Sequence, residues 1–186
     1  INAFGKMAMA GCGSYSKVEG FAFLPVTCFT MALTTFVSQN LGAKQYDRAK
    51  KGAWFGVICS VVIAELIGFV IYAAAPTFIA AFNSDPEVVR FGVMQARTIS
   101  LFYFVLAFSH CVAAVLRGSG HASVPMLVML CVWCVFRVSY ITVTVHFIPD
   151  IRVIFWAYPL TWCISSVIFL YLFLRGKWVH GFERQK

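Results

Sequence analysis

Charged side chains are scarce in this sequence, and acidic ones are the scarcest. Asp, Glu, Lys and Arg make up 12% of the 186 residues, and seven residues in all are acidic. A soluble globular domain carries about 25% charged residues, whereas here 61% of residues are hydrophobic and the mean hydropathy is +0.82. The composition excludes an ordinary soluble domain and predicts an integral membrane protein.

Clusters of catalytic or metal-binding residues are also lacking. The histidines lie in four separate regions, outside any His-Glu-x-x-His motif: His110, His121, His146 and His180. Cys131 and Cys134 have the spacing of a redox or metal pair, but no second ligand pair lies nearby, so we interpret them as small buried hydrophobic side chains. We therefore expect no enzyme activity, no cofactor and no metal site.

The sequence begins with Ile1, and no basic leader followed by a short apolar segment precedes the first long apolar run. We therefore expect no signal peptide and interpret the chain as a fragment of a longer protein. The net charge of +8 does not indicate nucleic-acid binding, because the cations lie at the ends of apolar runs. Cations in such positions are typical of topology signals and of contacts with membrane lipid headgroups.

Five apolar runs are long enough to cross a hydrocarbon core of about 30 Å as helices. They cover residues 13–38, 54–82, 91–116, 124–148 and 153–174, and a basic tail follows at 175–186. Pro25 lies in the middle of the first run and is expected to kink its helix, because proline leaves a backbone carbonyl without its hydrogen bond.

A basic segment between the first two runs predicts the orientation. Four cations stand there against a single acid, Asp47: Lys44, Arg48, Lys50 and Lys51. An excess of Lys and Arg in a short loop marks the cytoplasmic side. We therefore predict a multi-pass protein of the cell membrane whose carboxy-terminus is cytoplasmic.

Three short motifs occur in order along the chain. The first is Gln-Asn-x-Gly-Ala (Gln39, Asn40, Gly42 and Ala43), followed by a basic segment. The second is Leu-Arg-Gly-Ser-Gly at 116–120, before Val124-Pro125, and the third is Arg137 inside the next apolar run. Together they resemble the carboxy-terminal half of MATE (multidrug and toxic compound extrusion) transporters. We interpret the first motif as a cytoplasmic loop that serves either as a structural turn or as an inner gate.

The resemblance implies an all-α integral membrane protein whose five transmembrane helices form most of one six-helix lobe of a two-lobed, twelve-helix transporter. The missing amino-terminal lobe is then the partner of this chain. The implied activity is efflux of cationic amphiphilic drugs by alternating-access antiport, with Na⁺ or H⁺ as the coupling ion. One branch of the family has an ion-binding Asp near position 106, but residues 98–116 contain no acid. The chain is therefore closer to the branch of DNA-damage-inducible exporters.

Two other functions stay open at this point. One is a lipid-linked-oligosaccharide flippase of the same superfamily, which would need cations inside the spans to hold a pyrophosphate. The other is a structural membrane subunit that transports nothing.

Ionisable side chains inside the predicted spans are candidate functional residues, because inserting one costs about 2.5–3.5 kcal/mol. Glu19 either lines the substrate cavity or pairs at the outer interface, and Tyr15 shares its helix face. Glu65, His110 and Arg137 each have two alternative roles: binding an ion or proton, or making a structural contact between helices. Arg137 is expected to bridge helices by bonding either backbone carbonyls or a carboxylate, with Glu65 and Glu19 as the candidate acids.

Aromatic residues make up 17% of the chain, and some of them are expected to form an adaptable wall for flat, cationic ligands. The candidates lie close to proline or to polar neighbours: Phe21, Met31, Tyr103 and Tyr158.

Overall fold

The computed structural model describes residues 1, 4–176 and 178–179 of the chain. Within them lie five helical stretches that are long and apolar enough to cross a membrane: Lys6–Gly42, Tyr46–Ala80, Pro86–Gly118, Ser123–Phe147 and Ile151–Leu174. Each contains one of the predicted apolar runs, apart from overhangs of one or two residues. The all-α fold class is therefore confirmed. Most of the predicted tail, at 177 and 180–186, lies outside the described residues.

Helices α1 (Lys6–Gly42) and α2 (Tyr46–Ala80) form an antiparallel pair that is joined by a tight basic turn. The chain reverses at Lys44, which has a φ of 57°, and the Gln45 amide donates to the Asn40 carbonyl at 2.8 Å. Gln39, Asn40 and Gly42 therefore belong to the last turn of α1 rather than to a loop. The Asn40 side chain donates to the Phe36 carbonyl at 2.8 Å and reinforces that turn.

The third stretch is divided into α3 (Pro86–Ile99), a 3-10 turn (Ser100–Phe102) and α4 (Tyr103–Gly118). Asp85 caps α3, since its carboxylate accepts from the amides of Glu87 and Val88 at 2.8 and 3.4 Å. The 3-10 turn interrupts the regular hydrogen bonding of the helix, and its position sets where α4 begins.

The fourth stretch is divided into α5 (Ser123–Met129), a π segment (Leu130–Phe136) and α6 (Arg137–Phe147), and the last helix is α7 (Ile151–Leu174). Helix α6 lies at the edge of the bundle and contributes no buried residue. Cys131 and Cys134 are exposed rather than buried as expected, because the helix that carries them is peripheral.

Helix α4 is the centre of the bundle and packs against α1, α2 and α7, while α6 packs on α7. Close approach depends on glycine at several contacts. A Cβ at Gly118 would lie 2.6 Å from the Thr34 carbonyl oxygen, and the Thr34 hydroxyl donates to the Ala114 carbonyl at 3.2 Å. This arrangement leaves an opening where α1 faces the π segment, α6 and α7.

Candidate functional site

A polar cleft of about 310 Å³ fills this opening. Its lining combines one acid, one guanidinium and several aromatic rings: Ser16, Glu19, Gly20, Phe23, Leu106, Trp133, Arg137, Tyr158 and Trp162. A larger groove of about 610 Å³ lies between α1 and α2, but the described residues that line it are all apolar. The smaller polar cleft is the candidate site, because it alone of the two brings opposite charges and aromatic rings together.

Glu19 is positioned on α1 by a line of hydroxyl groups that begins on α4. The hydroxyls of Tyr103 and Tyr15 lie 2.9 Å apart, and the Tyr15 hydroxyl donates to Glu19 Oε1 at 3.4 Å. Tyr15 is fully buried and precedes Glu19 by one helical turn, so the two share a face as expected. The tyrosine pair therefore ties the carboxylate to the core of the bundle.

Arg137 begins α6 on the opposite wall of the cleft. Its Nε and Nη2 atoms donate to the Thr161 hydroxyl at 3.1 and 2.5 Å, and that hydroxyl donates to the Ala157 carbonyl at 2.9 Å. The guanidinium carbon lies 4.5 Å from the centre of the Tyr158 ring and 5.1 Å from that of Trp133. The guanidinium is thus held by a neutral hydroxyl and two aromatic faces.

The hydrogen-bond acceptor of Arg137 is thus a hydroxyl, neither a backbone carbonyl nor one of the candidate acids Glu65 and Glu19. Glu65 lies on α2, where its Oε2 accepts from the Phe104 amide at 3.2 Å. That amide is available because the 3-10 turn interrupts the helix just before it. Glu19 does share the cleft with Arg137, but within the described part of the chain no direct hydrogen bond joins them.

His110 lies behind the cleft between two aromatic rings. The centre of its ring is 4.9 Å from that of Phe23 and 5.2 Å from that of Trp133, both edge-on. Its Nε2 atom is buried and has no hydrogen-bond partner among the described residues. His110 therefore packs in the wall without lining the cleft itself.

A cluster of serines joins α4 to α7 beneath this wall. The Ser109 hydroxyl lies 2.6 Å from that of Ser166 and 3.2 Å from that of Ser165, and the Trp133 indole donates to Ser165 at 3.2 Å. These hydrogen bonds fix the Trp133 ring on which Arg137 stacks.

Two of the predicted cavity residues lie elsewhere. Phe21 is 69% exposed and lines the apolar groove, and Met31 is 68% exposed and outside the polar cleft. Phe21 follows Glu19 by two residues, and at about 100° per residue this places it on nearly the opposite side of α1. Of the other candidates, Glu19, Tyr158 and Arg137 line the cleft, and Tyr15 and Tyr103 support Glu19 from behind.

Several cleft residues were not predicted, although their helical spacing carries a signal. Phe23 follows Glu19 by four residues, Trp133 precedes Arg137 by four, and Trp162 follows Tyr158 by four. Residues four apart share a helix face, so each predicted residue points to one that was missed. Thr161 follows Tyr158 by three residues and so shares its face, but its bond to Arg137 depends on how α6 packs against α7.

The fold and the cleft together define the class: a polytopic membrane protein whose helices border a polar, aromatic-lined cleft. The MatE family model matches residues 1–143, so the chain belongs to the MatE family. It is 27% identical to the "Probable multidrug resistance protein NorM" of Thermotoga maritima, covering 94% of the chain and 38% of that relative. It is also 21% identical to the "Probable multidrug resistance protein YoeA" of Bacillus subtilis, covering 90% of the chain and 36% of that relative.

Solved structures show the same fold. A MOP superfamily transporter from Pyrococcus furiosus superposes with a TM-score of 0.87 at 18% identity, covering 95% of this chain and 39% of that one. The chain thus spans less than two fifths of the length of these relatives. The predicted MATE family and the predicted five-helix partial lobe are confirmed, while the branch and the orientation in the membrane stay predictions.

Proposed function

We propose that this chain is part of a multidrug efflux transporter and that a second lobe completes its cavity. The transporter exports cationic amphiphilic molecules across the cell membrane. Membership of the MatE family and the partial coverage of its relatives support this proposal. The observation that carries it is the Glu19 carboxylate inside an aromatic-walled cleft.

The cleft offers a cationic aromatic molecule two kinds of contact. The rings of Phe23, Trp133 and Trp162 present flat apolar surface, and aromatic faces attract cations. Glu19 supplies the negative charge that such a molecule would pair with. At about 310 Å³ the cleft lies at the lower end of ligand pockets, as expected for half of a cavity that a second lobe closes.

The same carboxylate provides a basis for coupling. Glu19 can hold either a substrate cation or a coupling ion, Na⁺ or H⁺, but its single charge does not favour both at once. Competition for one site makes ion entry drive substrate release, which is antiport by alternating access. The second wall of the cavity would then open to one side of the membrane at a time.

The test is ethidium efflux from a drug-sensitive bacterial host that expresses the full-length transporter. Efflux is measured with and without a Na⁺ or H⁺ gradient for the native protein, Glu19→Gln and Glu65→Gln. Losing the charged contact at Glu19 removes about 1.5–3 kcal/mol, so efflux should fall about tenfold or more. Glu65→Gln is the matched control, because its amide oxygen still accepts from Phe104.

Each result bears on a separate part of the proposal. No efflux by the native protein despite good membrane expression would contradict drug transport. Efflux that ignores both gradients would contradict antiport. Normal efflux by Glu19→Gln would remove Glu19 from the substrate site while leaving transport intact.

A further inference from the structure

Export of cations does not account for Arg137. A guanidinium is permanently charged in proteins, and a fixed positive charge repels a cationic substrate in the same cleft. An intramembrane Arg whose role is purely structural is normally neutralised by an acid or bonded to backbone carbonyls. Here Arg137 donates hydrogen bonds to the Thr161 hydroxyl and contacts two aromatic rings. It interacts with the charge of Glu19 across the cleft, but no direct bond joins these two described side chains.

The geometry of Arg137 leaves donors available. Thr161 takes hydrogen bonds from Nε and Nη2, so the Nη1 amino group has no hydrogen bond to any residue in the described part of the chain. Trp133 and Tyr158 lie against the guanidinium and limit how it can rotate. A guanidinium fixed along one edge, with its other edge free, is suited to bind a carboxylate.

A second donor in the same wall lacks a partner. Trp162 lines the cleft and is 2% exposed, and among the described residues its indole Nε1 has no hydrogen-bond acceptor. A buried N–H without an acceptor is costly. Both unsatisfied groups are donors, and both would be satisfied by oxygen atoms of an anionic ligand.

We propose that Arg137 is a specificity-determining residue that binds an acidic group of the substrate, so that the cleft selects aromatic zwitterions over simple cations. This inference rests on the proposed transport function and specifies its substrate class. Glu19 on α1 takes the basic end of the molecule, the aromatic wall takes its ring system, and Arg137 on α6 takes its carboxylate. Since the two charges share the cleft without bonding each other, a dipolar ligand satisfies both.

A matched pair of dyes tests the inference. Rhodamine B carries a free carboxylate and is a zwitterion, whereas its ethyl ester has the same ring system and is a cation only. Transport of each dye is measured in proteoliposomes that contain the full-length transporter, with protein-free vesicles as the blank. The native protein should prefer rhodamine B, and in direct competition rhodamine B should displace the ester at lower concentration than the reverse.

Variants of Arg137 then test whether this residue causes the preference for rhodamine B. Arg137→Gln should lower transport of rhodamine B about tenfold relative to the ester, because a charge-assisted hydrogen bond is lost. Arg137→Lys should recover part of the preference, since it keeps the charge but loses the planar fork. Phe21→Ala changes a residue of the apolar groove outside the cleft and serves as the control, with both dyes expected at native rates.

The outcomes separate this inference from the proposed function. If the native protein transports neither dye, the proposed function fails. If it transports both equally, or the ester better, transport stands and the zwitterion preference is refuted, whatever the variants do. If Arg137→Gln loses both dyes to the same degree, Arg137 is a structural residue and the inference is overturned.

Discussion

Gly118→Ala is expected to destabilise the bundle although it adds only one methyl group. Gly118 ends α4 and lies against the backbone of α1, where a Cβ would meet the Thr34 carbonyl oxygen at 2.6 Å and the Thr34 Cα at 3.1 Å. An ordinary contact to that oxygen needs 3.4 Å, so the two helices must separate by about 0.8 Å. Backbone atoms cannot rotate away as the end of a flexible side chain can.

The size of the effect follows from two losses and one gain. Overpacking a tight contact costs about 1–3 kcal/mol. The Thr34 hydroxyl, which bonds the Ala114 carbonyl at 3.2 Å, is pulled away at a further cost of about 1 kcal/mol. Replacing glycine by alanine in a helix returns about 1 kcal/mol at most, and less at a helix end. The net destabilisation is therefore about 1–3 kcal/mol.

Thermal unfolding of the full-length protein in detergent, followed by fluorescence-detected size exclusion, measures this difference. Gly13→Ala is the matched control, because Gly13 lies within α1 and a Cβ there meets nothing within 4 Å. Its Tm should equal or slightly exceed that of the native protein, while that of Gly118→Ala should fall clearly below it. Equal Tm values for the two variants would refute the conclusion that α1 and α4 need glycine to approach.

Two further predictions concern the cleft and use the ethidium efflux assay. Tyr15→Phe should reduce efflux more than Tyr103→Phe, because it removes the hydroxyl that lies between Glu19 and Tyr103. A larger loss of efflux in Tyr103→Phe would contradict this line of hydrogen bonds. Phe23→Ala should reduce efflux about fivefold, as expected for losing an aromatic contact of about 1 kcal/mol. Phe21→Ala should not reduce it, since Phe21 lines the apolar groove, and equal losses would contradict the assignment of the cleft.

The helices were predictable because their signal is local. A long apolar run in a membrane has to be helical, since each backbone amide and carbonyl needs a partner within the same segment. The basic turn after α1 was visible in the same way, but its geometry was not. Residues Gln39 to Gly42 continue the helix, and Lys44 rather than a glycine adopts the left-handed conformation.

The second motif shows how two glycines can serve different purposes. In Leu-Arg-Gly-Ser-Gly, Gly120 lies just after the end of α4 and has a φ of 87°, which glycine adopts without a steric clash. Gly118 is instead within the helix and is needed for contact with α1. A sequence identifies the glycines but does not indicate which helix approaches them.

The charges of the cleft were predictable as residues, but only one of their two partners was. Glu19 and Arg137 stand out because ionisable groups inside apolar runs are rare. The partner of Glu19 is Tyr15, one turn away on the same helix, and this spacing is visible in the sequence. The partner of Arg137 is the Thr161 hydroxyl on another helix, and nothing local links these two residues.

Each helical stretch that borders the cleft contains either a proline or a segment of irregular backbone. Pro25 lies in α1, the 3-10 turn precedes α4, the π segment precedes Arg137, and Pro159 lies in α7. Away from lipid, freed backbone groups can find side-chain partners or water, so such interruptions occur where a helix is buried or lines a cavity. Glu65 provides a direct instance, since it accepts from the Phe104 amide just after the 3-10 turn. Proline is not specific to the cleft, because Pro76 lies in α2. The 3-10 turn and the π segment contain no proline that would have revealed them in the sequence.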